Sequence, residues 1–154
     1  MAKYKSLIVS LLCALGVGGL SALLTSDSMG QYQQLAQPPL APPGWLFPVV
    51  WTLLFILMGI SAWLVWRSPA RERRAALTVY AVQLAMNLGW SLLFFRAQLR
   101  LPAFFWLVAL EILLGVMIAL FARCDRRAAL LQIPYFCWVL FAGYLYLGVW
   151  ALNK

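Results

Sequence analysis

Five apolar segments occupy almost the whole of this 154-residue chain, and each is long enough to cross a lipid bilayer. A helix needs roughly 18–20 apolar residues to span the hydrocarbon core. The segments are residues 7–25, 45–66, 75–95, 103–122 and 128–150. Apolar residues make up 65% of the chain and charged residues 10%, a balance typical of membrane proteins. The sequence therefore predicts a single all-α domain over residues 1–154, an integral membrane bundle of five transmembrane helices.

The basic residues are segregated between the connections. If all five segments cross, one side of the membrane carries Lys3, Lys5, Arg67, Arg71, Arg73, Arg74, Arg123, Arg126 and Arg127. The other side carries only Arg96, Arg100 and Lys154. This pattern places the N-terminus in the cytoplasm and the basic connections against anionic lipid headgroups. It argues against a nucleic-acid partner despite the net charge of +8. Because outer-membrane proteins are typically barrels, we expect a bacterial inner membrane.

Several common kinds of site are not expected. The apolar run from Leu7 to Leu24 is longer than the usual apolar region of a signal peptide, so it is predicted to be a retained helix. The three cysteines lack metal-binding spacing, and no metal site or disulfide is expected. The chain contains no histidine, which excludes haem held by a proximal histidine. No cofactor is required by any motif.

The connection at residues 26–44 is the longest outside the apolar segments. Its four prolines favour an extended path over a helix, at Pro38, Pro39, Pro42 and Pro43. Two interpretations remain open. The connection is either a stiff linker or a lid that carries Tyr32 towards the interior of the bundle.

Three tryptophans fall deeper than an interfacial belt requires. Trp45, at the start of its segment, suits the membrane interface. Trp51 lies about 9 Å deeper along a helix, and Trp138 about 15 Å into its own segment. Trp90 also lies inside an apolar segment. An indole ring at such depth is expected to face protein or ligand, because its N–H needs a hydrogen-bond partner.

Helical spacing groups these tryptophans with other unusual residues on shared faces. The predicted inward faces are Trp51 and Phe55 on the second segment, Gln83, Asn87, Trp90 and Ser91 on the third, and Tyr135, Trp138, Ala142 and Leu145 on the fifth. Aromatic walls with a few amides and hydroxyls suit a large, flat, mostly apolar ligand. Spacing alone does not distinguish a porphyrin from a sterol or a drug-like heterocycle.

Glu111 lies inside the fourth segment with no intramembrane cation in the sequence to pair with it. An ionisable group at that depth is a candidate for a functional site, and we hypothesise that it is neutral at rest. The alternative is a protonated side chain that only hydrogen-bonds to a neighbouring helix.

The third segment has a second, small-residue face formed by Ala81, Ala85 and Gly89. Small residues four apart permit close helix contact. This face points away from Gln83 and Asn87, so it either forms a homodimer interface or packs within one chain.

The order and spacing of several motifs run through all five segments. They are Pro42-Pro43 with Phe47-Pro48 and Trp51; Tyr80-x-x-Gln83-Leu84-x-x-Asn87-x-x-Trp90 with Phe94-Phe95; Ile133-Pro134-Tyr135-x-x-Trp138 with Ala142 and Leu145; and Trp150-x-x-Asn153. Together they resemble the tryptophan-rich sensory protein/translocator protein family, also called the peripheral-type benzodiazepine receptor or TspO/MBR family.

The resemblance implies a five-helix bundle, commonly dimeric through the third helix, that binds porphyrins such as protoporphyrin IX or haem. By position, the residues implied to bind the ligand are Tyr32, Pro42, Trp51, Phe55, Asn87, Trp90, Ser91, Glu111, Trp138, Ala142 and Leu145. The positions comparable to the animal sterol motif are Leu147 and Ala151, so high-affinity sterol binding is not carried over.

Three functions are consistent with this resemblance. The leading hypothesis is a receptor or sensor with a regulatory or transport role in tetrapyrrole metabolism. The second is a light-dependent porphyrin-degrading enzyme in which Trp51 and Trp138 carry the redox chemistry. The third is a proton-coupled exporter of lipophilic compounds with Glu111 as the exchanging carboxyl. No nucleophile–base pair in the sequence requires turnover.

Overall fold

The computed structural model describes residues 2–25, 45–92 and 100–152, and it contains five α-helices and no strand in those ranges. The helices are α1 (Ala2–Thr25), α2 (Leu46–Trp66), α3 (Arg73–Ser91), α4 (Arg100–Cys124) and α5 (Arg126–Leu152). Each coincides with one apolar segment of the sequence, which confirms the predicted all-α bundle. Continuous helices are the expected outcome, because backbone groups in lipid must be paired within their own segment.

Four of the five helices are by themselves long and apolar enough to cross a membrane, namely α1, α2, α4 and α5. The described part of α3 does not reach the same hydropathy because it begins with Arg73 and Arg74 and contains Gln83 and Asn87. Both amide side chains are buried, with exposures of 0% and 2%. α3 therefore turns its polar side towards the other helices, where the amides find partners.

Successive helices run in opposite directions. The Trp63 indole N–H donates to Ser6 Oγ at 3.1 Å, which places the start of α1 beside the end of α2. Ser68 Oγ donates to the Cys124 carbonyl at 2.8 Å and joins the connection after α2 to the end of α4. We call this side the arginine-rich end, because its connections and helix termini carry Arg67, Arg71, Arg73, Arg74, Arg123, Arg126 and Arg127.

The connection between α4 and α5 is a single residue, Asp125. Its carboxylate accepts from the Arg127 backbone N–H at 2.9 Å and from the Arg127 guanidinium at 2.9 Å. A carboxylate at this position caps the start of α5. The hydrogen bond from Arg127 is the main cause of a lowered pKa for Asp125.

Helices α1 and α2 approach each other closely at Gly59. A Cβ atom there would lie 3.0 Å from the Leu11 Cα and 3.3 Å from the Ser10 carbonyl oxygen. The same contact lets Ser10 Oγ donate to the Gly59 carbonyl at 2.7 Å. Gly18 of α1 packs against the Phe55 ring, whereas a Cβ atom added at Gly16 or Gly19 would meet no other helix within 4 Å. Only part of the small-residue flank of α1 therefore contacts the bundle.

Candidate functional site

An aromatic cluster lies between α2, α3 and α5, centred on Trp51. The Trp51 ring is 5.8 Å from the Phe55 ring, 5.8 Å from Trp90, 6.1 Å from Tyr135 and 6.4 Å from Trp138, measured between ring centres. The contacts with Tyr135 and Trp138 are edge-to-face. Such pairs contribute about 0.5–1.5 kcal/mol each beyond the area they bury. The Trp51 ring of α2 thus contacts rings of both α3 and α5. These rings lie on the faces that helical spacing predicted to point inwards.

The cluster continues outwards from Trp51 on two sides. Trp90 stacks on Tyr146 with ring centres 5.1 Å apart and planes 17° apart. Trp138 contacts Phe47 and Phe141 at 5.9 and 5.6 Å. Trp90 and Tyr146 are buried, whereas Trp51 and Trp138 keep part of their surface exposed. These two rings are therefore the ones that a ligand could contact directly.

The aromatic cluster occupies the half of the bundle away from the arginine-rich end. Trp51 lies in the second turn of α2, and Trp90 lies one residue before the end of α3. Residues 26–44 join α1 to α2 at this same end. Tyr32 and Pro42, the predicted residues of the lid, lie outside the described residues, and so does the side chain of Ser91.

A buried polar network forms one side of the aromatic cluster. Asn87 Nδ2 donates to the Tyr135 hydroxyl at 2.7 Å, and that hydroxyl donates to Gln83 Oε1 at 2.7 Å. Within the described ranges, the hydrogen-bond partner of Gln83 Nε2 is the Met58 sulfur at 3.9 Å, a weak acceptor. Tyr135 is 1% exposed and also touches the Trp51 ring edge. The Tyr135 side chain therefore links the polar network to the aromatic rings.

Ala142 and Leu145 line the same side of α5 and are buried, at 5% and 1% exposure. Together with Phe55 at 3%, they belong to the core that surrounds the rings. Tyr146 was not among the predicted site residues. It lies one turn after Ala142, and this spacing on a face already assigned inwards was the signal that could have identified it.

Glu111 lies on α4 with both carboxyl oxygens buried and without a hydrogen-bond partner among the described residues. The rest of its side chain is partly exposed. The structure thus places Glu111 on α4, while the ring contacts of the aromatic cluster are made by α2, α3 and α5.

The predicted small-residue face of α3 is divided in two. Ala81 and Ala85 are exposed. Gly89 is covered by Trp106 of α4, whose ring would lie 3.0 Å from a Cβ atom at that position. Trp106 is held there by its indole N–H, which donates to the Met86 carbonyl at 2.8 Å. Gly89 therefore packs within the chain, and only Ala81 and Ala85 remain available to a partner.

Comparison with known proteins gives a consistent family assignment. The model of the TspO/MBR family matches residues 9–151. The tryptophan-rich protein TspO of Chlorobaculum tepidum is 38% identical over 152 residues, covering 96% of this chain and 94% of that protein. The tryptophan-rich sensory protein of Cereibacter sphaeroides is 31% identical, covering 96% and 92%. The translocator protein of Ovis aries is 35% identical, covering 80% and 75%.

Proposed function

The chain belongs to the TspO/MBR family, and on that basis we propose that this multi-pass membrane protein of receptor or sensor type binds porphyrins. Protoporphyrin IX and haem are the representative ligands, and other flat lipophilic molecules are candidates. The bound ligand serves a regulatory or transport role in tetrapyrrole metabolism.

The observation that carries this proposal is the convergence of four rings on Trp51 from three helices. A planar macrocycle with a large π-surface is matched by partly exposed indole faces, since stacking and edge contacts with aromatic rings favour flat ligands. The rings of Trp51 and Trp138 contact each other, so a ligand sits against them or separates them on entry. The Asn87–Tyr135–Gln83 network offers polar groups beside this surface.

A titration of the purified protein with protoporphyrin IX tests the proposal through tryptophan fluorescence. We expect saturable quenching, because the ligand lies within contact distance of Trp51 and Trp138. Trp51→Phe and Trp138→Phe should each raise the Kd about tenfold, the loss expected for one favourable ring contact. Trp66→Phe is the matched control, because Trp66 is 57% exposed and lies at the arginine-rich end. Quenching without saturation, or equal Kd values in all three variants, would contradict porphyrin binding at this site.

The perpendicular contact between Trp51 and Trp138 also favours the second candidate, light-dependent porphyrin degradation. Two indoles in contact with the ligand and with each other could exchange an electron with the excited macrocycle. Illumination of the complex should then give a defined product with the wild-type protein and not with Trp51→Phe. Bleaching at the same rate in both proteins would argue against an enzymatic role.

Two further proposals concern assembly and location. The exposed Ala81 and Ala85 face of α3 is proposed as a homodimer interface, since small residues permit close packing of helices in lipid. The concentration of arginines at one end supports an orientation with that end and the N-terminus in the cytoplasm. The proposed location is a bacterial inner membrane, with anionic lipids around the arginine-rich end.

A further inference from the structure

Two exposed arginines at the arginine-rich end lie against tryptophan rings. The guanidinium carbon of Arg67 is 4.9 Å from the centre of the Trp63 ring, and that of Arg73 is 5.7 Å from the centre of the Trp66 ring. A guanidinium over an indole is attracted by the negative face of the ring. These contacts hold in place two long side chains that would otherwise move freely at the surface. We call Arg67 and Arg73 the ring-held arginines.

The two ring contacts lie close together at the end of α2. Trp63 and Trp66 are three residues apart in its last turn, so their rings share one side of the helix. The Arg73 guanidinium also donates to the Trp66 carbonyl at 3.2 Å, and that carbonyl forms the peptide bond to Arg67. The ring-held arginines are therefore attached to the same turn, although one lies at the end of α2 and the other at the start of α3.

The carboxylates of this end are paired with other arginines. Arg123 lies 3.9 Å from Glu72, and Arg127 lies 2.9 Å from Asp125. The ring-held arginines form no ion pair among the residues that the structure describes. Two positive charges thus stand beside each other without a negative partner from the described part of the chain.

Most hydrogen-bond donors of the ring-held arginines are also unused. A guanidinium carries several N–H donors along its edge, and contact with an indole ring does not consume them. Arg73 uses one donor on the Trp66 carbonyl, and Arg67 makes no side-chain hydrogen bond within the described ranges. The edge of a guanidinium fits two oxygens of a phosphate group. Two such edges, already held by rings, are suited to one phosphate.

The position of the two rings favours a phosphate that belongs to a lipid. They close the apolar span of α2, at the level where tryptophans line the membrane interface. The Trp63 indole N–H donates to Ser6 Oγ, so the start of α1 with its exposed Lys5 lies beside them. Deeper along α1, Ile8 and Leu12 are 55% and 65% exposed and offer an apolar surface to acyl chains.

From these contacts we propose that the ring-held arginines bind the phosphate of one anionic phospholipid in the cytoplasmic leaflet. The inference rests on the proposed placement of the arginine-rich end among anionic lipids. It goes further by assigning one headgroup to two named side chains, rather than to the total charge of that end. The guanidinium edges of Arg67 and Arg73 donate to the phosphate oxygens, while Trp63 and Trp66 are positioning residues that hold the guanidinium groups.

Native mass spectrometry of the full chain in detergent micelles, titrated with dioleoylphosphatidylglycerol, tests this proposal. We expect the first lipid to bind with a Kd about tenfold below that of zwitterionic dioleoylphosphatidylcholine. Arg67→Lys and Arg73→Lys should each raise the Kd for phosphatidylglycerol about fivefold, because lysine keeps the charge but loses the planar edge. Trp66→Leu keeps every charge and removes one ring, and it should raise the Kd to a similar extent.

Arg74→Lys is the matched control, because Arg74 is exposed next to Arg73 and has no ring contact or ion pair among the described residues. Its Kd should equal that of the wild type. The proposal is overturned if Arg67→Lys and Arg73→Lys bind phosphatidylglycerol like the wild type, or if Arg74→Lys weakens binding as much as they do. Binding would then follow total charge alone.

A competition with inorganic phosphate separates a lipid from a soluble ligand. Sodium phosphate and sodium chloride at equal ionic strength should displace the lipid equally. Stronger displacement by phosphate would assign the site to a free phosphate and overturn the lipid assignment. Because affinities in micelles depend neither on membrane orientation nor on porphyrin, failure of this inference is distinct from failure of the proposed function.

Discussion

At the scale of single residues, Tyr135 joins the aromatic cluster to the polar network. Its ring touches Trp51, and its hydroxyl accepts from Asn87 and donates to Gln83. Without that hydroxyl, Gln83 Oε1 would lose its hydrogen-bond donor in an apolar interior. Leaving a buried polar group unsatisfied costs about 1–3 kcal/mol. The network is therefore a structural element of the bundle as well as one side of the candidate site.

Tyr135→Phe should accordingly lower the free energy of unfolding by about 1–3 kcal/mol, measured by reversible denaturation in mixed micelles. The matched control is Tyr144→Phe, an exposed tyrosine on the same helix, which should change stability by less than about 0.5 kcal/mol. Equal stability of the two variants would show that the hydrogen bonds of Tyr135 contribute nothing to the free energy of unfolding.

Sequence spacing placed Gln83, Asn87 and Trp90 on one face of α3, and Tyr135 and Trp138 on one face of α5. Gln83, Asn87, Trp90 and Tyr135 are buried, and the rings of Trp90, Tyr135 and Trp138 contact Trp51. The hydrogen bonds between the helices could not be read from spacing, because they depend on helix rotation and side-chain rotamers. Tyr146 was missed for a related reason. Its partner, Trp90, lies on another helix, so the stacked pair becomes visible only when α3 and α5 are placed side by side.

At the scale of helices, the contact between α1 and α2 requires their backbones to come close together. α1 buries little of its surface, and its contact with α2 depends on Gly59, which lets the Ser10 and Leu11 backbone come close. The sequence showed the small residues of α1, but not that α1 makes a close backbone contact at a glycine of α2. The environment of Gly89 could not be predicted either, because the pattern of small residues on α3 does not show that Trp106 of α4 covers it.

Gly59→Ala should destabilise the packing of α1 on α2, because the added methyl would meet backbone atoms that cannot rotate away. Overpacking of this kind costs about 1–3 kcal/mol. Gly19→Ala is the matched control in α1, where nothing lies within 4 Å, and it should be neutral or slightly stabilising. Thermal unfolding of both variants in the same detergent measures the difference. A Gly59→Ala protein as stable as Gly19→Ala would mean that the two helices adjust without cost.

At the scale of the whole molecule, the two sides of α3 have different surroundings. Its polar and aromatic side faces the interior, and the exposed part of its small-residue side, Ala81 and Ala85, faces outwards. This division permits two chains to associate without disturbing either aromatic cluster. The all-α bundle could be predicted from the apolar segments alone, because bilayer thickness fixes helix length.

Ala85→Trp should convert the proposed homodimer to a monomer, because a bulky ring prevents close contact of two α3 helices. Ala119→Trp is the control, an exposed alanine on another helix, α4. Sedimentation in density-matched detergent gives the mass of each variant. An unchanged dimer in Ala85→Trp, or a monomeric wild type, would exclude this interface.

The central claim, that a flat macrocycle binds against the inward tryptophans, is tested most directly by fluorine NMR of the protein labelled with 5-fluorotryptophan. The chain contains eight tryptophans, and single Trp→Phe variants assign their resonances. Addition of protoporphyrin IX should shift the Trp51, Trp90 and Trp138 resonances and leave those of the exposed Trp45 and Trp66 unchanged. Shifts confined to Trp45 and Trp66 would place the ligand on the outer surface and contradict the claim.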